Sequence, residues 1–139
     1  MADPIQNLAT YLHLAAASER RQRRLVRDRL LLLAAVVATI ANLPRIAAYC
    51  RWKILEHNPR HLLSRCKTVK EALLDEDFVA VLQHIRLRYP LEKAERLLEN
   101  LGIDMRNERA TYYSDEEYAA ALLGTNLTAL AAIFPDQKS

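Results

Sequence analysis

Apolar residues recur at helical intervals along most of the chain and nowhere alternate over a strand length. Asp3-Pro4 is a helix start, with Asp as N-cap and Pro at the first helical position. Ile5, Leu8, Leu12 and Ala15 then follow on one face. The stripe fails at Glu19, Arg20, Arg21, Gln22, Arg23 and Arg24, and recovers with Val26, Leu30, Leu33, Val37 and Ile40. This pattern predicts either one long helix with an exposed waist or two helices that meet near Ser18. Pro44 ends or kinks the element, because it lacks a backbone donor and clashes with the preceding turn.

Ile46, Tyr49, Cys50 and Ile54 mark the next helix, which Asn58-Pro59 stops while capping a short helix through Cys66. Thr68 to Glu71 is a capping-box pattern, and Asp75-Glu76-Asp77 places negative charge where a helix dipole favours it. The helix that follows carries Phe78, Leu82, Ile85 and Tyr89. Pro90 opens an amphipathic helix with Leu91, Ala94, Leu98 and Leu101, closed by Gly102 with Ile103 packing back on Leu98. Residues 104–113 read as loop. Ser114 to Glu117 is a second capping box, opening a helix with Tyr118, Ala121 and Leu122 that bends at Gly124 and runs to about Phe134. The sum is an all-α fold: a compact bundle of about six helices, with a long N-terminal helical region and a central apolar helix. Residues 1–139 read as one domain, with a soft border near 67 and a flexible tail at 135–139.

Residues 30–43 decide whether a membrane is involved. Fourteen nearly uncharged residues precede Pro44 and Arg45, whereas a spanning helix needs about 20. The run is apolar on every side and has no polar face to lie on a lipid surface, so it reads as a helix buried all round. Part of it is alternatively an apolar surface closed by a second copy or a partner. The start of the chain has no cationic n-region, and two cysteines are too few for a disulfide scaffold, so the chain reads as cytoplasmic.

Charge adds an asymmetry. Residues 1–70 carry 13 Lys/Arg against 4 Asp/Glu, residues 71–139 carry 7 against 13, and the nets of +9 and −6 give the overall +3. Either the halves dock on each other or the basic half meets an acidic partner. Arg20, Arg21, Arg23, Arg24, Arg27 and Arg29 concentrate the positive charge. Such a run suits phosphate tracking, since Arg forks onto phosphate oxygens, but no aromatic residue interleaves it for base stacking. The competing reading is a solvated waist paired with the acidic half. Trp52, between Arg51 and Lys53, is an interface anchor or a partly buried core residue.

Other chemistry is sparse. Cys50, His57, His61 and Cys66 are zinc-type ligands, but Asn58-Pro59 breaks the face that His57 and His61 would share, so no metal site or cofactor is expected. Leu101-Gly102-Ile103 resembles the turn of a helix-turn-helix, which would place Arg106, Arg109 and Thr111 on a recognition helix; the segment after it has no apolar stripe. His84 lies two helical turns beyond Asp77, out of reach, and two glycines leave no phosphate-cradling loop. The residues point to a non-catalytic helical interaction or adaptor protein that self-associates, for example as a homodimer, or binds a partner protein through a helical surface. The alternative is a nucleic-acid-binding protein led by the arginine run.

Overall fold

The computed structural model describes residues 3–135, and those residues are all-helical. Eight α-helices are present among them: α1 (Pro4–Arg20), α2 (Arg24–Ile40), α3 (Pro44–His57), α4 (Val69–Ala72), α5 (Glu76–Arg88), α6 (Leu91–Asn100), α7 (Asp115–Leu122) and α8 (Leu127–Ile133). Two short 3-10 turns, Leu62–Arg65 and Arg109–Thr111, complete them. The expected tail, 135–139, lies outside the described residues except for Pro135.

The helix count exceeds six because backbone reversals divide what periodicity joined. The N-terminal region is two helices. Gln22 stands at φ 60°, its N–H bonds Glu19 O (2.9 Å), and the N–H of Arg23 bonds Ser18 O (2.8 Å). This is a Schellman closure, in which a left-handed residue satisfies the last carbonyls of a helix. Asn42, Gly102 and Gly124 (φ 62°, 72° and 77°) close α2, α6 and α7 in the same way. Gly102 and Gly124 carry no left-handed penalty, whereas Gln22 does. Behind Pro59 the chain forms only the 3-10 turn, capped by the His61 ring on Leu63 N rather than by Asn58.

Side-chain caps start five of the eight described helices, α1 among them. Asp3 accepts from Ile5 N, Thr68 from Glu71 N, Asp75 from Asp77 N and Phe78 N, Ser114 from Glu117 N, and Asn126 from Ala129 N. α2 and α3 begin at Arg23 and Leu43 with no side-chain cap. They are held by burial instead.

α2 is the centre of the bundle, packing on α1 and α3 and touching α4 and α5. Residues 30–36 and Ala38 are all buried. The face differs from the one the spacing named: Val26 and Val37 are half-buried and Ile40 is exposed, while Arg27, Leu31, Ala34, Ala35 and Ala38 point inward. A helix apolar on every side offers periodicity no face to choose, and its packing against α1 and α3 decides which residues turn inward. Ala121 of α7 is likewise exposed, and Ala119 and Ala120 are buried in its place. One continuous core runs from Ile5 to Leu130 and includes residues on both sides of position 67. No helix among the described residues is long and apolar enough to cross a membrane.

Candidate functional site

The six arginines do not form one surface. The reversal at Gln22 puts Arg20 on α1 and Arg24 and Arg27 on α2, so these three share no helix face. Arg20, Arg21, Arg23 and Arg24 are exposed at the α1–α2 corner, Arg29 is half-buried, and Arg27 is buried at 7% exposure. Arg27 Nη1 donates to Glu19 Oε1 (2.6 Å), and Nη2 and Nε donate to Asp28 Oδ1 (2.9 and 3.2 Å). The second oxygen of Asp28 meets His57 Nδ1 at 2.5 Å, and Lys53 Nζ lies 3.5 Å from Glu19. Two buried charges are tolerated because every strong donor and acceptor has a partner. Burial raises the Glu19 carboxyl, but the hydrogen bonds from Arg27 and Lys53 outweigh it and hold it below its ordinary value. Arg27 is thus occupied by an internal network that ties α1, α2 and α3.

The expected pairing of the arginines with the acidic half is not what forms. Arg27 takes its partners from the basic half itself, and the other five make no ion pair within 4 Å among the described residues. The ties between halves run elsewhere. His13 Nε2 and the Tyr118 hydroxyl both bond Glu108 Oε1 (2.8 and 2.7 Å), and Arg109 bridges Asp3 (2.7 Å) and Asp115 (2.7 Å). Burial raises Glu108, and the bonds from His13 and Tyr118 bring it below its ordinary value. Burial and the Glu108 carboxylate together push the Tyr118 hydroxyl up. These bonds pin the 104–113 segment onto α1 and α7.

That arrangement also excludes a recognition helix there. The turn at Gly102 forms as the sequence implies, but only the 3-10 turn follows it; Arg106 folds onto Asp104 and Arg109 is spent on its two aspartates. The zinc-type residues do not converge either. Cys50 is in the core, where burial pushes its thiol up to about 12, His57 holds Asp28, and His61 caps Leu63. Among the described residues no group of three His, Cys, Asp or Glu is placed to hold a metal. Trp52 is 42% exposed, its ring tilted against Tyr49 with centroids 5.6 Å apart.

The exposed arginines acquire company only in three dimensions. α6 packs along α1 and brings its own residues to the α1–α2 corner. A cleft of 410 Å³ opens between them, lined by Arg21, Arg23 and Lys93 on the rim and by Val26, Leu97 and Leu101 on the floor. These three floor residues are only half-covered. Tyr89 lines the same cleft; its carbonyl is held by the Tyr11 hydroxyl (2.9 Å), and Lys93 Nζ sits 5.6 Å from its ring centroid. The aromatic partner missing from the arginine run is thus supplied from more than sixty residues away. The α6 residues Lys93, Leu97 and Leu101 read by themselves as an ordinary amphipathic helix, and nothing in their spacing named Arg21 and Arg23 as neighbours.

A cationic rim over a half-open apolar floor is chemically suited to a ligand that is both anionic and apolar. Against known proteins, no family model, no curated protein and no solved structure matches the chain.

Proposed function

We propose that the protein is a non-catalytic helical interaction protein that seats an acidic, amphipathic helical segment of a protein partner in the cleft between the α1–α2 corner and α6. The observation behind this reading is the joining of three cations, Arg21, Arg23 and Lys93, to the half-covered floor of Val26, Leu97 and Leu101. Helix-in-groove recognition combines these two features: apolar anchors supply affinity, and the charged rim supplies on-rate and register. A second copy of the chain is one source of such a segment, since α6 itself exposes Glu92, Glu95 and Glu99.

A nucleic-acid reading keeps one specific support, that Tyr89 lines the same cleft as Arg21 and Arg23. The two readings part on salt and on the floor. Light scattering after gel filtration, recorded at 260 and 280 nm, reports self-association and co-purifying nucleic acid. Fluorescence anisotropy then compares a Glu- and Leu-rich amphipathic peptide with a single-stranded oligonucleotide. The interaction reading expects the peptide to bind, and both Arg21→Gln/Arg23→Gln and Leu97→Ser/Leu101→Ser to weaken it. Oligonucleotide binding that falls steeply with salt, and that ignores the floor substitutions, replaces it with the nucleic-acid reading.

A further inference from the structure

A second cavity, of 310 Å³, lies where the end of α2 and the start of α3 meet residues 67–70 and Phe134. It shares no lining residue with the α1–α6 cleft. Ala47, Val69 and Phe134 make an apolar wall, and Arg51, Lys67 and Lys70 make a cationic side, with no carboxylate among the lining residues. Arg51 is fixed before any ligand arrives. Its Nη2 donates to Cys66 O (2.7 Å) and its Nε to Leu63 O (3.3 Å), which leaves Nη1 without a protein acceptor among the described residues. Thr68 also lines the cavity, and its hydroxyl oxygen already accepts from Glu71 N, so the hydroxyl proton is free to donate outward. Lys67 and Lys70 are exposed and make no ion pair within 4 Å among the described residues.

We propose that this cavity is a binding site for a small organic anion with a flat apolar body, of the aryl phosphate, sulfonate or carboxylate class. Small-molecule sites combine a mostly apolar lining with a few convergent polar groups, in volumes that begin near 300 Å³. The cavity has that size and that division of labour. A pre-positioned guanidinium receives an oxyanion geometrically, and two mobile ammonium groups neutralise its charge. Phe134 and the small side chains of Ala47 and Ala48 make up much of the apolar lining, a composition that suits an aromatic ring.

The test uses 1-naphthyl phosphate, with inorganic phosphate and 1-naphthol as partial probes, in an NMR amide titration of the full chain. The expected result is saturable shifts at the amides of Ala47, Val69 and Lys70, with both partial probes binding at least about tenfold more weakly. Lys67→Gln/Lys70→Gln is expected to weaken naphthyl phosphate by about tenfold and leave the melting temperature unchanged, since both lysines are exposed. Ala48→Met narrows the cavity without touching a charge and is expected to weaken binding as well. Absence of binding, shifts at Leu97 and Leu101 instead, unchanged affinity in the lysine variant, or inorganic phosphate equal to the aryl phosphate would each overturn the proposal.

Discussion

The first three helices and the last five are stabilised by different means. α1, α2 and α3 have 14 to 17 residues, two of them lack a side-chain cap, and they hold most of the residues with no exposure and the internal Arg27–Asp28 pair. α4, α6, α7 and α8 have four to ten residues and α5 has 13, and all but α6 start from a side-chain cap. They join the same core through residues such as Phe78, Leu82, Leu98, Tyr118 and Leu130, and a polar contact from Glu108 to His13 ties the segment before α7 to α1. Burial holds α2 and α3 without a side-chain cap at their starts, whereas α1 has the Asp3 cap as well. A helix of four to eight residues cannot nucleate alone, and its cap and its packing decide whether it forms.

The largest effects are expected inside the first region. Arg27→Ala leaves the buried Asp28 with only the half-buried His57 as partner and is expected to lower stability by about 3–5 kcal/mol, read from urea midpoints. Arg20→Ala and Arg24→Ala, in the same run, are expected to stay within about 0.5 kcal/mol. Equal costs for the three would erase the distinction between network and corner. Leu32→Ala, at a residue with no exposure, is expected to cost about 2–5 kcal/mol.

In the second region the caps set the scale. Ser114→Ala removes the acceptor for Glu117 N and is expected to cost about 1 kcal/mol, with Ser114→Gly costing only a few tenths. A loss as large as that of Leu32→Ala would mean that α7 is held by its cap rather than by Tyr118, Ala119 and Ala120.

Acid links the two regions. Glu19 and Glu108 have folded pKa values below the ordinary 4.5, so their stabilisation is full above that value and is lost as pH falls through the lower folded values. His61 is held below 6.5 by burial, partly offset by the charge of Asp28, so the unfolded chain takes up this proton first and stability begins to fall below 6.5. All three act in one direction, and the melting temperature is expected to decline from neutral pH into acid. Glu108→Gln is expected to flatten the carboxylate part of that decline and leave the histidine part in place. A melting temperature that rises between pH 7 and 5 would contradict the sign.

The smallest effect tests the corner itself. Gln22→Gly relieves a left-handed residue and is expected to stabilise by about 0.5–1 kcal/mol, if the flexibility gained by the unfolded chain does not offset it. A loss of stability would show that the Gln22 side chain contributes more than its backbone strain costs.

Most helix starts and stops were legible because they are local. Asp3, Thr68, Asp75 and Ser114 cap where they stand, Pro44 begins α3, and Gly102 closes α6. The Gln22 reversal was not legible, since Gln is not a left-handed signal, and the failure of the stripe only located the region. Arg27 offered one overlooked clue: it lies four and seven residues before Leu31 and Ala34, on the stripe that is buried. Its distant partner Glu19 gave none, because it stands on another helix, as does His57, which holds Asp28.

The sequence by itself determined the all-α class, most of the helix ends and the central burial of residues 30–36, since caps, turns and hydrophobic periods act over a few residues. Only the tertiary structure decided which arginine is buried, which face of α2 turns inward, and which residues meet at the two cavities. Those outcomes depend on packing between helices far apart in the chain: α6 against the α1–α2 corner, and Phe134 against α3. A periodic pattern carries the shape of each helix but not the identity of its neighbour.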